Sequence, residues 1–192
     1  MSPRAGALLA TMACALWLAP SCVAPLRAAE IDATASRIGF ALKTRWGQGL
    51  EGRFPVFRGE VEALPGQRQR VRLLLSTREV EIVEHSAYTQ HTRGRGFFDA
   101  ERFPEVGFTS QPYPAALVHS GGALAGTLSI RGVSRRETFQ VEPATCSRPG
   151  LECDVVAHGD VRRSDYGMGR WGVALADEVR FSLRMRSHGP LP

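Results

Sequence analysis

Arg37-Ile38-Gly39-Phe40-Ala41-Leu42-Lys43 decides how this chain is read. Its apolar side chains Ile38, Phe40 and Leu42 recur at every second residue, so an extended backbone puts all three on one face. The same alternation returns along the chain. Val71, Leu73 and Leu75 share a face, as do Val106 and Phe108, then Leu124, Leu128 and Ile130, and then Phe139 and Val141. Val155, Ala157 and Val161 follow, and Val179, Phe181, Leu183 and Met185 complete the set. The residues between them are mostly Arg, Glu, Thr, Ser or Gln, which makes the opposite face wet; Leu74 is an exception.

Short turn signals separate these stretches: Leu64-Pro65-Gly66, Ser120-Gly121-Gly122, Arg131-Gly132-Val133-Ser134 and Arg148-Pro149-Gly150. Roughly eight strands with one apolar face each, and no helix long enough for a crossover, predict an all-β antiparallel sheet. Closing that sheet into a single barrel removes its open edges. An eight-stranded barrel is either filled by its own side chains or wide enough for one ligand. The segment Glu84 to Phe103 breaks the alternation. Its first half fits one or two helical turns ended by Gly94 and Gly96, and Phe97-Phe98 then needs cover, which a long connection over a barrel end supplies.

At the N-terminus Arg4 precedes an uncharged run from Ala5 to Pro20. That run has the length of a secretory h-region and falls short of the ~20 residues a spanning helix needs. Pro20 and the small residues after it place cleavage between residues 21 and 29, so we expect a leader over residues 1–29 and one exported domain over 30–192. A lipoprotein anchor at Cys22 fits poorly, because Ala19 and Pro20 precede it.

This changes the charge reading of a 192-residue chain whose formal net charge is +5. The leader carries Arg4 and Arg27 and no acid, leaving +3. It also carries Cys14 and Cys22, so Cys146 and Cys153 remain as a single pair, which an exported chain is expected to oxidise to a disulfide. An apolar content of 43% with 22% charged residues excludes a disordered chain. The basic residues are all Arg except Lys43. Arg68, Arg70 and Arg72 alternate onto an outer strand face, and Arg93, Arg95, Arg135-Arg136 and Arg162-Arg163 sit near loops. They form no continuous Arg and aromatic track, so nucleic acid is not an expected partner.

Candidate chemistry is sparse. A literal G-x-G-x-x-G at Gly47, Gly49 and Gly52 lies between two strand-like runs, not between a strand and a helix, so it reads as a hairpin and no nucleotide cofactor is expected. His85 and His91 are six residues apart and would not share a helix face as metal ligands do, so no metal is expected. There is no G-x-S-x-G elbow and no His paired with an acid or Ser at a telling spacing, which points away from an enzyme.

Four blocks carry a resemblance. They are Gly52-Arg53-Phe54 with Phe57 and Gly59; Gly96 to Ser110 (GFFDAERFPEVGFTS); Gly126 to Ser134 (GTLSIRGVS); and Arg163-Ser164-Asp165-Tyr166-Gly167-Met168 followed by Ala176 to Val179. With Ile31-Asp32 and Ser36 ahead of them, their order and spacing from about Ile31 to Met185 resemble the YceI-like family of bacterial periplasmic proteins. The resemblance implies a lipocalin-like barrel with a short helical segment in a long connection. Its interior would hold a polyisoprenoid, an isoprenoid quinone or a similar long-chain amphiphile, without catalysis. The alternative it leaves open is a filled barrel that binds a partner, such as a membrane cytochrome, or serves an envelope stress response. The oligomeric state stays open, a homodimer being one option. Ala35 and Thr44 stand where the family often has His, Thr89 where Asp is common, and Gly96 where an acid precedes the Phe pair, whereas His91 keeps its place. These departures bear on the headgroup more than on the fold.

From alternation, the candidate wall of an apolar tunnel is Ile38, Phe40, Leu42, Phe54, Leu73, Leu75, Phe108, Leu128, Ile130 and Phe181, with Phe97, Phe98 and Trp171 placed to close an end. His91, Asp99, Arg131, Arg163 and Asp165 are the polar candidates, either for a headgroup or for a turn and ion-pair network.

Overall fold

In the computed structural model, which describes residues 28–192, each alternating stretch is a strand of one curled antiparallel sheet. The expected leader and Cys22 lie outside the described residues. The strands are β1 (Ala28–Glu30), β2 (Arg37–Thr44), β3 (Gly49–Arg53), β4 (Phe57–Leu64), β5 (Arg68–Ser76), β6 (Glu81–Ile82), β7 (Glu105–Ser110) and β8 (Tyr113–Pro114). They continue as β9 (Gly122–Ile130), β10 (Val133–Val141), β11 (Val155–Arg162) and β12 (Leu175–Met185). The helix α1 (Ser86–Arg93) stands between β6 and β7, and a single-turn α2 (Leu117–Ser120) follows β8. The hydrogen-bonded order is β1-β4-β5-β7-β9-β10-β11-β12-β2-β3-β6, with β8 added beside β5.

The class is the expected one, and the strand count differs. Twelve strands are present among the described residues, of which β2, β4, β5, β7, β9, β10, β11 and β12 have six residues or more. Among the described residues no ladder joins β6 to β1, so the curled sheet is a barrel open along one seam. Residues 54–56 cross that seam, where the Phe54 N–H donates to the Ile38 carbonyl and the Val56 carbonyl accepts from the Ser76 N–H, both at 2.9 Å.

Turn chemistry sets the register. Arg131 and Gly132 have φ of 52° and 75°, so β9 and β10 are joined by a two-residue type I′ hairpin pairing Ile130 with Val133. The Gly47-Gly49-Gly52 motif lies on the β2–β3 hairpin. Outward side chains of β4 and β5 pair across the sheet, with Arg72 reaching Glu60 and Glu62 at 3.4 Å each. Leu74 lies half-buried on that outer face, against Gly107.

The ends of the barrel differ. One end, here the lower, gathers the 65–67 turn, α2, the 142–154 loop and the tail around Leu191. Cys146 and Cys153 are bonded there with Cα atoms 6.0 Å apart, and Arg148 spans the same loop to Glu152 at 2.7 Å. Closing so short a ring stabilises the fold by ~2.5 kcal/mol in the chain-entropy model. Reduction, or the double substitution C146S/C153S, is therefore expected to lower Tm by roughly 5 to 10 °C. Thermal unfolding with and without a reductant checks this; an unchanged Tm would mean that the loop is held by its hydrogen bonds alone. The upper end carries the 45–48 turn, α1, the 94–104 connection and the 163–174 connection. As expected, α1 ends at Gly94, and Phe98 is then buried over the barrel.

Candidate functional site

The inward phenylalanines meet at mid-height. Phe40 and Phe181 face each other in the β2–β12 register with ring centroids 6.1 Å apart. Phe139 lies 6.4 Å from Phe181 and 5.0 Å from Phe108. Three rings of this belt, Phe40, Phe108 and Phe139, have room because a neighbouring strand offers bare backbone. A Cβ on Gly52 would come within 2.1 Å of Phe40, one on Gly126 within 2.4 Å of Phe108, and one on Gly159 within 2.7 Å of Phe139. Those glycines are sites of close approach, in strands that would otherwise gain from a side chain.

The belt divides the interior into two chambers. The lower is about 100 Å³, lined by Ile38, Leu73, Leu75, Phe108 and Leu128 among others. The upper is about 280 Å³ and lies beneath the connections of the upper end. Its walls are Phe40, Leu42, Leu50, Ile130, Val161 and Val179, and Phe181 borders both chambers. Its roof is Tyr88, His91 and Thr92 of α1 with Phe97, Phe98, Met168 and Trp171. Phe98 packs edge-on to Phe40 and Phe54 at 6.2 and 5.7 Å, which ties the roof to the belt.

Few polar groups face this upper chamber. The Thr92 hydroxyl donates to the Tyr88 carbonyl at 2.8 Å, within its own helix. His91 is exposed at the rim, 6.3 Å from the Trp171 ring. Arg163 is only 2% exposed and holds the roof connection together. Its guanidinium donates to the carbonyls of Ala176 (2.9 Å), Leu175 (3.3 Å) and Met168, while its charge lies 5.9 Å from the Phe97 ring. Burial pulls the Arg163 guanidinium below its ordinary pKa, an effect that Asp177 opposes and Arg45 reinforces. Asp177 is itself fixed by the Ser164 hydroxyl at 2.6 Å and the Ser164 N–H at 2.9 Å, which hold its carboxyl below the usual range.

The structure thus sorts the sequence candidates. Of the proposed wall, Ile38, Leu73, Leu75, Phe108 and Leu128 line the lower chamber, and Phe40, Leu42, Phe97, Phe98, Ile130 and Trp171 the upper. Phe54 is fully buried but lines neither, standing behind Phe40 at 5.5 Å. Of the polar candidates, His91 and Arg163 reach the upper chamber, and the other three do not. Arg131 donates to the Gly167 carbonyl at 2.7 Å, Asp165 accepts the Arg135 guanidinium at its backbone carbonyl at 2.9 Å, and Asp99 holds a left-handed turn at φ 49°. These are turn-forming contacts outside the chamber. Residues missed from sequence include Leu50, Tyr88, Thr92, Val161, Met168 and Val179. Val161 and Val179 carried a signal, since both share the inward face of their strands with other wall residues.

With this geometry in hand, likeness to known proteins becomes informative. A family model for the YceI-like domain matches residues 30–186. Among solved structures, the chain is similar to Burkholderia cenocepacia BcnA, with a TM-score of 0.66 and 22% identity over 81% of this chain and 98% of that one. It is also similar to a polyisoprenoid binding domain from Saccharophagus degradans implicated in plant cell wall breakdown, with a TM-score of 0.62 and 16% identity over 86% and 99%. A Campylobacter jejuni YCEI protein gives a TM-score of 0.58 and 19% identity over 72% and 84%. No curated protein matches the sequence. The family match spans nearly all of the barrel, its seam and its roof, and the chain belongs to the YceI-like family.

Proposed function

We propose that this protein is an exported, non-catalytic carrier that holds a polyisoprenoid, an isoprenoid quinone or a similar long-chain amphiphile in the upper chamber, in the periplasm. The observation that carries this reading is the apolar chamber of about 280 Å³ beneath a roof of aromatic side chains. Its size lies just below the ~300–1,000 Å³ usual for small-molecule sites. A prenyl tail presents almost only apolar surface, and burying it gains roughly 25 cal/mol per Å² before the ordering costs are met. Membership of the YceI-like family, and likeness to a domain described as polyisoprenoid-binding, support the ligand class. His91 at the rim offers a hydrogen-bonding group to a headgroup.

Organic extraction of the purified protein followed by mass spectrometry tests the reading, together with Val179→Phe. Val179 is half-buried on the chamber wall, so a phenyl group there occupies the guest's space. Prenyl-chain affinity should fall at least about tenfold while Tm moves by only a few degrees, because the added ring enters an existing void instead of a packed core. If the protein carries no lipid, binds no added isoprenoid, and Val179→Phe changes nothing, the carrier reading fails and a filled barrel that binds a protein partner takes its place.

A further inference from the structure

The open end of the upper chamber is apolar on its outside as well. Trp46 is 81% exposed and Val173 is 88% exposed, with Trp171 and Tyr88 at 41% and 45%. They come from three segments that the fold brings together. The Arg45 N–H donates to the Ala174 carbonyl at 2.9 Å, and the Arg45 guanidinium to the Gly172 carbonyl at 3.0 Å, so the Trp46 turn lies beside Val173. Trp46, Tyr88 and Trp171 all reach the same chamber mouth.

The charges of these segments are one-sided. Residues 45–48, 86–97 and 169–174 contain Arg45, Arg93, Arg95 and Arg170 and no Asp or Glu. Several strand arginines elsewhere have carboxylate partners, as in Arg180 with Asp160 at 2.9 Å and Arg53 with Glu81 at 2.7 Å. Among the described residues Arg45, Arg95 and Arg170 form no such pair. Arg95 and Arg170 instead border a cleft of about 270 Å³ that also holds His91 and Trp171, at the edge of the chamber.

We propose that this rim is a membrane-docking face, which seats the chamber mouth on a bilayer of anionic phospholipid. Indole and phenol rings favour the boundary between headgroups and acyl chains. Arginines beside them are suited to lipid phosphates, with which they form forked, charge-assisted hydrogen bonds. A second copy of the chain would supply the apolar cover without the negative charge, and a two-fold contact would face these arginines with their own kind. An anionic bilayer supplies both. The inference uses the carrier reading only for its purpose, which is to let a tail pass between membrane and chamber without crossing water.

Trp17, Trp46 and Trp171 are the tryptophans of the chain, so W17F/W171F leaves Trp46 as the sole indole. Phosphatidylethanolamine–phosphatidylglycerol vesicles free of isoprenoid should shift its emission to the blue, and acyl-brominated lipid should quench it. Phosphatidylcholine vesicles should do neither. In vesicle co-sedimentation, W46S/V173S should bind about tenfold more weakly. Removing the three arginines together (R45S/R95S/R170S) should cost about 100-fold at low salt. An unquenched Trp46 on anionic vesicles overturns the proposal, as does a blue shift that follows protein concentration without vesicles, which would indicate self-association. Lipid extraction is scored separately. Retained isoprenoid with failed docking overturns this inference alone, and docking by a protein that meets all the failure criteria of the carrier reading upholds it while that reading falls.

Discussion

Arg163→Ala is expected to lower stability by at least about 4.5 kcal/mol, since hydrogen bonds to charged groups are worth roughly 1.5–3 kcal/mol each and three are lost. The Met168, Leu175 and Ala176 carbonyls all accept from one guanidinium, and a methyl group can replace none of those bonds. The side chain is 2% exposed, so water does not easily take over. Arg163 also has no carboxylate bridge among the described residues; it is solvated by backbone oxygen in place of water. For a chain of this size the loss corresponds to a fall in Tm of about 10 °C. Arg163→Lys should recover little, because an ammonium cannot present a planar fork to three carbonyls in different directions. The exposed neighbour serves as control, with Arg162→Ala expected to stay within about 0.5 kcal/mol. Thermal unfolding of the three variants decides it, and an Arg163→Ala protein that melts like its parent would refute the role.

Phe181→Ala should be comparably damaging and more informative. Truncating a buried phenylalanine costs about 3–5 kcal/mol, the transfer loss plus the void left behind. Phe181 borders both chambers, between Phe40 and Phe139, so its removal joins spaces of about 280 and 100 Å³. Denaturant titration reads the stability term. If the carrier reading holds, the extracted lipid should also shift toward longer tails, because the floor of the upper chamber has been removed. Phe181→Leu should be intermediate in both respects. A destabilised variant with an unchanged lipid profile would show that the belt does not limit the guest.

The long strands were legible because their signal is local. Ile38, Phe40 and Leu42 alternate whatever surrounds them, and the pleat turns that alternation into a wall. Strands β1, β6 and β8, of two or three residues, are too short to show a period and exist only because a neighbour offers a ladder. The site was less legible than the fold. Tyr88 and Thr92 enter the chamber because α1 is laid across the barrel end, which depends on how β6 and β7 are spaced, not on the helix's own sequence. Motif membership also proved a poor guide to chemistry. Asp99 and Arg131 lie in shared blocks, yet both occupy left-handed turns, so those blocks record chain reversal as much as ligand contact. Phe54 alternates correctly with Leu50 and is still one layer too far back to meet a guest.

The bare backbone beneath the belt has a consequence for capacity. Phe40, Phe108 and Phe139 are each parked against a strand where no side chain stands, so the bore of the barrel at mid-height is set largely by three missing methyl groups, at Gly52, Gly126 and Gly159. A methyl at any of them would push its phenylalanine off the wall and toward the axis. The aromatic side chains are the visible furniture of the interior, but the glycines outside them decide how much floor is left to stand on.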